Sequence, residues 1–84
     1  GKPDPQVYIE TCSRLGVEAV NSVAIEDAPD GLRAAKAAGL WAIAVPPPHP
    51  AAAEENRALA DVVVDDIRRI TPELIAAIAP GARS

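Results

Sequence analysis

Methionine and phenylalanine are missing from these 84 residues, the aromatic side chains are Tyr8 and Trp41 alone, and Cys12 is the single cysteine. One cysteine cannot close an internal disulfide, and no Cys/His cluster has zinc spacing, so the composition points to a reducing, cytoplasmic setting. Basic residues are also short, with 8 Lys+Arg against 12 Asp+Glu and a net charge of −4. Without a basic stripe or stacking platforms, nucleic acid is excluded as a partner. The longest apolar stretch, Gly39 to Pro48, is broken by prolines and falls far short of the ~20 residues a membrane-spanning helix needs. A chain that starts at Gly1 and holds no methionine reads as a piece of a longer product. At this length, with no disulfide or zinc to staple it, one small domain is the most it can form, and that domain is expected to be marginal alone.

What is present is concentrated at Glu26 and Asp27, side by side after the apolar run Val23-Ala24-Ile25 and ahead of Ala28-Pro29-Asp30-Gly31. An apolar run closed by carboxylates, then a turn and a helical pattern, puts acids at the carboxyl end of a buried strand, where open α/β sheets bind ligands. Two oxygen-rich side chains there suit a hard divalent cation, Mg²⁺ above others. At the chain start, Gly1-Lys2-Pro3-Asp4-Pro5 sets a lone lysine ahead of a helix, and such a lysine can act as a point charge on a phosphate.

Periodicity predicts a helix from Pro5 to Leu15 with Tyr8, Cys12 and Leu15 on its apolar side and Gly16 as its cap. Strands follow at Val23–Ile25, Trp41–Val45 and Asp61–Val64, separated by helices over Pro29–Ala38 and Ala51–Ala60, and Thr71-Pro72-Glu73 opens a last helix. The near-continuous apolar character of the strands predicts a Rossmann-like α/β fold, a three-layer parallel sheet of about three strands with four helices. Structural roles compete with chemical ones at each candidate. Asp27 could be a helix N-cap, Glu26 a solvated strand-end acid, and Lys2 a loose terminal residue. His49 reads as a solvated loop residue, Cys12 and Trp41 as packing, Asp65-Asp66 as a cap, and Arg33, Lys36, Arg68 and Arg69 as solvated helix faces.

Taken together, Gly1-Lys2-Pro3-Asp4-Pro5 and Ile25-Glu26-Asp27-Ala28-Pro29-Asp30-Gly31-Leu32, with Ala34-Ala35-Lys36-Ala37-Ala38-Gly39, resemble the C-terminal half of the core of a haloacid dehalogenase-superfamily hydrolase. The branch it looks like is the β-phosphoglucomutase-like sugar-phosphate phosphatases. The resemblance implies that Lys2 stabilises phosphate and that Asp27 binds Mg²⁺ or its water, with Glu26 as companion acid. It implies a small phosphorylated substrate and a phospho-aspartyl intermediate. The family's nucleophile strand and cap have no counterpart in residues 1–84, so the remainder of a parent chain is the expected partner and the isolated chain is expected to be inactive. The Glu26-Asp27 strand would then lie at an apolar edge of the sheet. The expected activity is a phosphohydrolase. A phosphomutase of the same branch, or an inactive α/β binding module that kept the acids for folding, are the alternatives.

Overall fold

Alanine decides how closely the layers approach. The computed structural model describes residues 4–83, the last two by backbone alone. Ala24 and Ala42 pair in register, as do Glu26 and Ala44, within two parallel strands, β1 (Val23–Glu26) and β2 (Trp41–Ala44). Residues paired directly across a parallel ladder share a face, so Ala24, Glu26, Ala42 and Ala44 look the same way. The helix α2 (Pro29–Ala37) seats on that face through Leu32 and Ala35, both fully buried. Small side chains on both surfaces let helix and sheet come together.

The remaining elements follow the predicted alternation. Helix α1 (Gln6–Leu15) precedes β1, α3 (Ala53–Leu59) precedes the short β3 (Val62–Val63), and α4 (Pro72–Ile78) closes the order. The sheet runs β1-β2-β3 with parallel pairing throughout. Gly16 ends α1 at φ 69°, a left-handed conformation that glycine adopts without a Cβ clash. Asp4 accepts from the Gln6 N–H at the start of α1, and Thr71 accepts from the Leu74 N–H at the start of α4. Both satisfy amides that the helices cannot. Cys12 is buried among Ala24, Leu32, Leu40 and Ala42, as its helical position implied.

Three expectations need correction. Leu15 is 70 % exposed rather than packed, because helical period defines a stripe but not whether a neighbour covers all of it. The segment 51–60 divides into a 3₁₀ turn, Pro50–Ala52, and α3, since Pro50 occupies the first turn. Arg33 and Lys36 do not merely solvate a helix face. Arg33 reaches Glu55 of α3, and the Lys36 ammonium donates to the Leu40 carbonyl at 3.0 Å and to Asp61 at 2.7 Å while sitting 5.5 Å from the Trp41 ring centroid.

Asp61 is the hub of that cluster. Its carboxylate also accepts from the Ala42 N–H at 2.7 Å, while its own N–H donates to the Ala42 carbonyl at 2.9 Å. One residue thereby satisfies both backbone groups of Ala42, acting as an extra rung ahead of β3. Asp61→Ala is expected to cost about 1–3 kcal/mol by leaving the Ala42 amide without its partner. Asp61→Asn keeps an acceptor and loses only a partly exposed ion pair, worth up to about 1 kcal/mol. Urea unfolding of the two variants checks the order, and equal losses would contradict it.

β1 is an outer strand among the described residues, and Ile25 on its other face is 43 % exposed while its register partner Ile43 is fully buried. The strand that ends in Glu26 thus lies at an apolar edge among the described residues, as the resemblance implied.

Candidate active site

The backbone from Glu26 to Ala28 is held at three successive carbonyls. The Glu26 carbonyl accepts from the Val45 N–H at 2.9 Å, the Asp27 carbonyl from Asn56 Nδ2 at 3.0 Å, and the Ala28 carbonyl from the Leu32 N–H at 3.1 Å. The residue just after β2, helix α3 and helix α2 therefore each grip one peptide group at the carboxyl end of β1. Anchored this way, the loop carries its side chains on a fixed frame.

Asp27 is exposed, and its carboxylate takes no hydrogen bond or ion pair among the described residues. The N-cap of α2 is Ala28, with no side-chain cap bond, so the structural role considered for Asp27 is not the one it plays. Glu26 is half-buried and turned to the helix face, where its carboxylate accepts a hydrogen bond from the Tyr8 hydroxyl of α1. On its other side the carboxylate lies directly against the α-carbon of Gly31. A Cβ there would clash with the Glu26 carboxylate, so any larger residue in the first turn of α2 would require that side chain to move. Tyr8, Glu26 and Gly31 border an open cavity of about 380 Å³ between α1 and α2, lined also by Asp4, Thr11 and Asp30, whereas Asp27 lies outside its lining.

Burial, then the Glu26 carboxylate beside it, pushes the Tyr8 phenol above its usual range. An unfolded tyrosine titrates near pH 10. Folded Tyr8 holds its proton more tightly, so its contribution to stability is complete below about pH 10 and is lost as pH climbs beyond that value. Tyr8→Phe is expected to flatten the alkaline fall in stability between about pH 9 and 11 relative to wild type, measured by urea unfolding at a series of pH values. Parallel curves for the two proteins would show that folding does not shift the phenol's titration.

Of the remaining candidates, Lys2 lies outside the described residues. His49 is exposed in its proline loop. Asp66 caps the 3₁₀ turn Ile67–Arg69 by accepting from the Arg68 N–H at 2.8 Å, and the Arg68 guanidinium holds its carboxyl below the ordinary range. Asp65 pairs with Arg69 at 2.6 Å. Both therefore serve the structure after β3. Tyr8 and Asn56 were missed as site residues. Tyr8 had a signal, since a hydroxyl on an apolar helix stripe needs a partner when buried; Asn56 had none in local sequence.

The donor set at 26–27 fits a hard cation in kind, because it offers carboxylate oxygens and no sulfur or imidazole. Among the described residues no group of three or more His, Cys, Asp or Glu gathers in metal-binding fashion. Mg²⁺ needs only one or two protein carboxylates beside water and substrate oxygens, so a pair of acids would suffice in number.

A parallel sheet flanked by helices, with acids at the carboxyl rim of an outer strand, defines the class as a Rossmann-like α/β core. The haloacid dehalogenase-like hydrolase family profile matches residues 1–39. Validoxylamine A 7'-phosphate phosphatase of Streptomyces hygroscopicus subsp. limoneus is 41 % identical over 70 residues, 83 % of this chain and 32 % of its own length. Hexitol phosphatase B of Escherichia coli K12 is 40 % identical over 70 residues, 83 % of this chain and 31 % of its own length. The crystal structure of β-phosphoglucomutase from Clostridium difficile superposes with a TM-score of 0.78 at 28 % identity, covering 95 % of this chain and 33 % of that one. The chain is similar to haloacid dehalogenase-like hydrolases over residues 1–39, and it spans about a third of the length of the curated relatives it matches. No helix among the described residues is long and apolar enough to cross a membrane.

Proposed function

We propose that this chain is the C-terminal part of the catalytic core of a Mg²⁺-dependent phosphohydrolase acting on a small phosphorylated metabolite such as a sugar phosphate. The observation that carries the reading is Asp27 itself. Its carboxylate is exposed and has no capping or pairing duty among the described residues, yet its backbone is anchored from a neighbouring helix. The relatives named as phosphatases support the reaction type.

Asp27 would hold Mg²⁺ or its water, and Glu26 would be the companion acid, its carboxylate oriented by Tyr8 and by the space Gly31 leaves. Bound there, the ion would offset negative charge that spreads over the phosphoryl oxygens during transfer. Lys2 would add a point charge to the same oxygens. The aspartate nucleophile, the second phosphate ligands and the substrate-selecting cap would come from the remainder of the parent chain, in a reducing cytoplasm where Cys12 stays a thiol.

The test is phosphate release by the full-length protein from a panel of small phosphorylated metabolites, with and without a chelator. Release that depends on added Mg²⁺ is expected. No release from any member, or release indifferent to chelation, would overturn the proposal. The likeness to β-phosphoglucomutase supports a second reading, a phosphomutase. An isomeric phosphate ester accumulating in place of free phosphate would establish it.

A further inference from the structure

Helix α3 presents Glu54, Glu55 and Arg57 to solvent, but Asn56 between them is 2 % exposed and is the sole buried polar side chain among the described residues. Its Nδ2 donates to the Asp27 carbonyl at 3.0 Å, and its Oδ1 has no hydrogen-bond partner among the described residues. A buried acceptor without a donor costs about 1–3 kcal/mol of desolvation. An apolar residue of similar volume at the same helical position would avoid that cost. Among the described residues this side chain makes one hydrogen bond, and that bond ends on Asp27.

We propose that Asn56 is a positioning residue which, from α3, fixes the peptide plane after Asp27 and so aims the Asp27 carboxylate at its cation. This rests on the reading of Asp27 as a Mg²⁺ ligand. The direction of a carbonyl sets ψ of its own residue, and ψ sets how the peptide plane stands to the Cα–Cβ bond. The flanking carbonyls of Glu26 and Ala28 are held by backbone amides. The central one is the only one of the three held by a side chain, across 29 positions of sequence. It is therefore the one anchor that a substitution can remove without disturbing a strand ladder or a helix. Groups that only orient a metal ligand typically change metal affinity by about 10–100-fold when removed.

The experiment uses the full-length protein with Asn56→Leu and Asn56→Asp, and reads Mg²⁺ dissociation constants by calorimetry alongside Tm and phosphate release. Asn56→Leu removes the orphaned oxygen but also leaves the Asp27 carbonyl without its donor, two opposing effects, so its Tm should stay close to wild type. Its Mg²⁺ dissociation constant should rise about tenfold, with kcat largely recovered at saturating Mg²⁺. Asn56→Asp, which sets an acceptor against the Asp27 carbonyl, should weaken Mg²⁺ at least as much. Unchanged Mg²⁺ affinity in a folded Leu variant would overturn the proposal. So would a Leu variant that loses Tm or fails to fold, because Asn56 would then be supporting the structure. If wild-type protein bound no Mg²⁺, the metal reading of Asp27 would fall first. Wild-type binding that is lost in Asp27→Asn but untouched in Asn56→Leu would sink the anchor alone.

Discussion

Asp27→Asn in the full-length protein should lower Mg²⁺-dependent phosphate release by roughly two to three orders of magnitude. A metal that polarises phosphoryl oxygens supplies several kcal/mol to the transition state, and each 1.36 kcal/mol is about a tenfold change in rate. The amide keeps the size of the carboxylate and loses the charge that attracts a divalent ion. Stability should change by no more than about 0.5 kcal/mol, because the side chain is exposed and unbonded among the described residues. The measurement is a Mg²⁺ titration of turnover paired with urea unfolding. Near-normal turnover in a folded variant would strip Asp27 of the metal role, whereas a large loss of stability would return it to a structural one.

Leu32→Ala should produce the largest stability effect, about 3–5 kcal/mol, toward the upper part of the range for buried leucine. The reason is the company Leu32 keeps. It is fully buried against Ala24, Ala35, Ala42, Ala44, Cys12 and Leu40. Alanine has no rotamers with which to fill a void, so the space left by the missing methyls persists and the cavity cost is retained. Leu32→Met, which conserves volume, should lose less than about 1.5 kcal/mol. Denaturant unfolding of both variants in the full-length protein decides the matter. A cost for alanine under about 1 kcal/mol would mean that the layers collapse more freely than this packing allows.

The acid pair and the order of elements were legible because each is written in contiguous sequence. An apolar run ending in Glu26-Asp27, a proline at the start of α2 and Gly39 just beyond its end are short-range signals. The role of Asn56 was not legible, since an asparagine between Glu54, Glu55 and Arg57 looks like one more surface residue, and only the packing of α3 beside α2 brings it to Asp27. Lys36 was misread for the same reason, its partner Asp61 lying 25 positions away. Tyr8 was placed on the correct helix face, but its bond to Glu26 needs the crossing of α1 over the end of β1. Periodicity says which residues turn inward, whereas distance in space says what they meet. Leu15 shows the limit, turned inward by its spacing and left uncovered by the fold.

The alanine lining between sheet and helix has a consequence for the chemistry at its rim. Because no side chain longer than a methyl projects from Ala24, Ala42 or Ala44, these positions act as spacers that set the height of α2 above the strands. Gly31 rides on that helix, and its clearance from Glu26 is less than the width of one carbon atom. Bulk added beneath the helix would raise it and let the glutamate relax away from Tyr8, so changes in the dry interior would be felt as an altered acidity of the Tyr8 phenol at the wet edge. Tuning of this site need not touch the site at all.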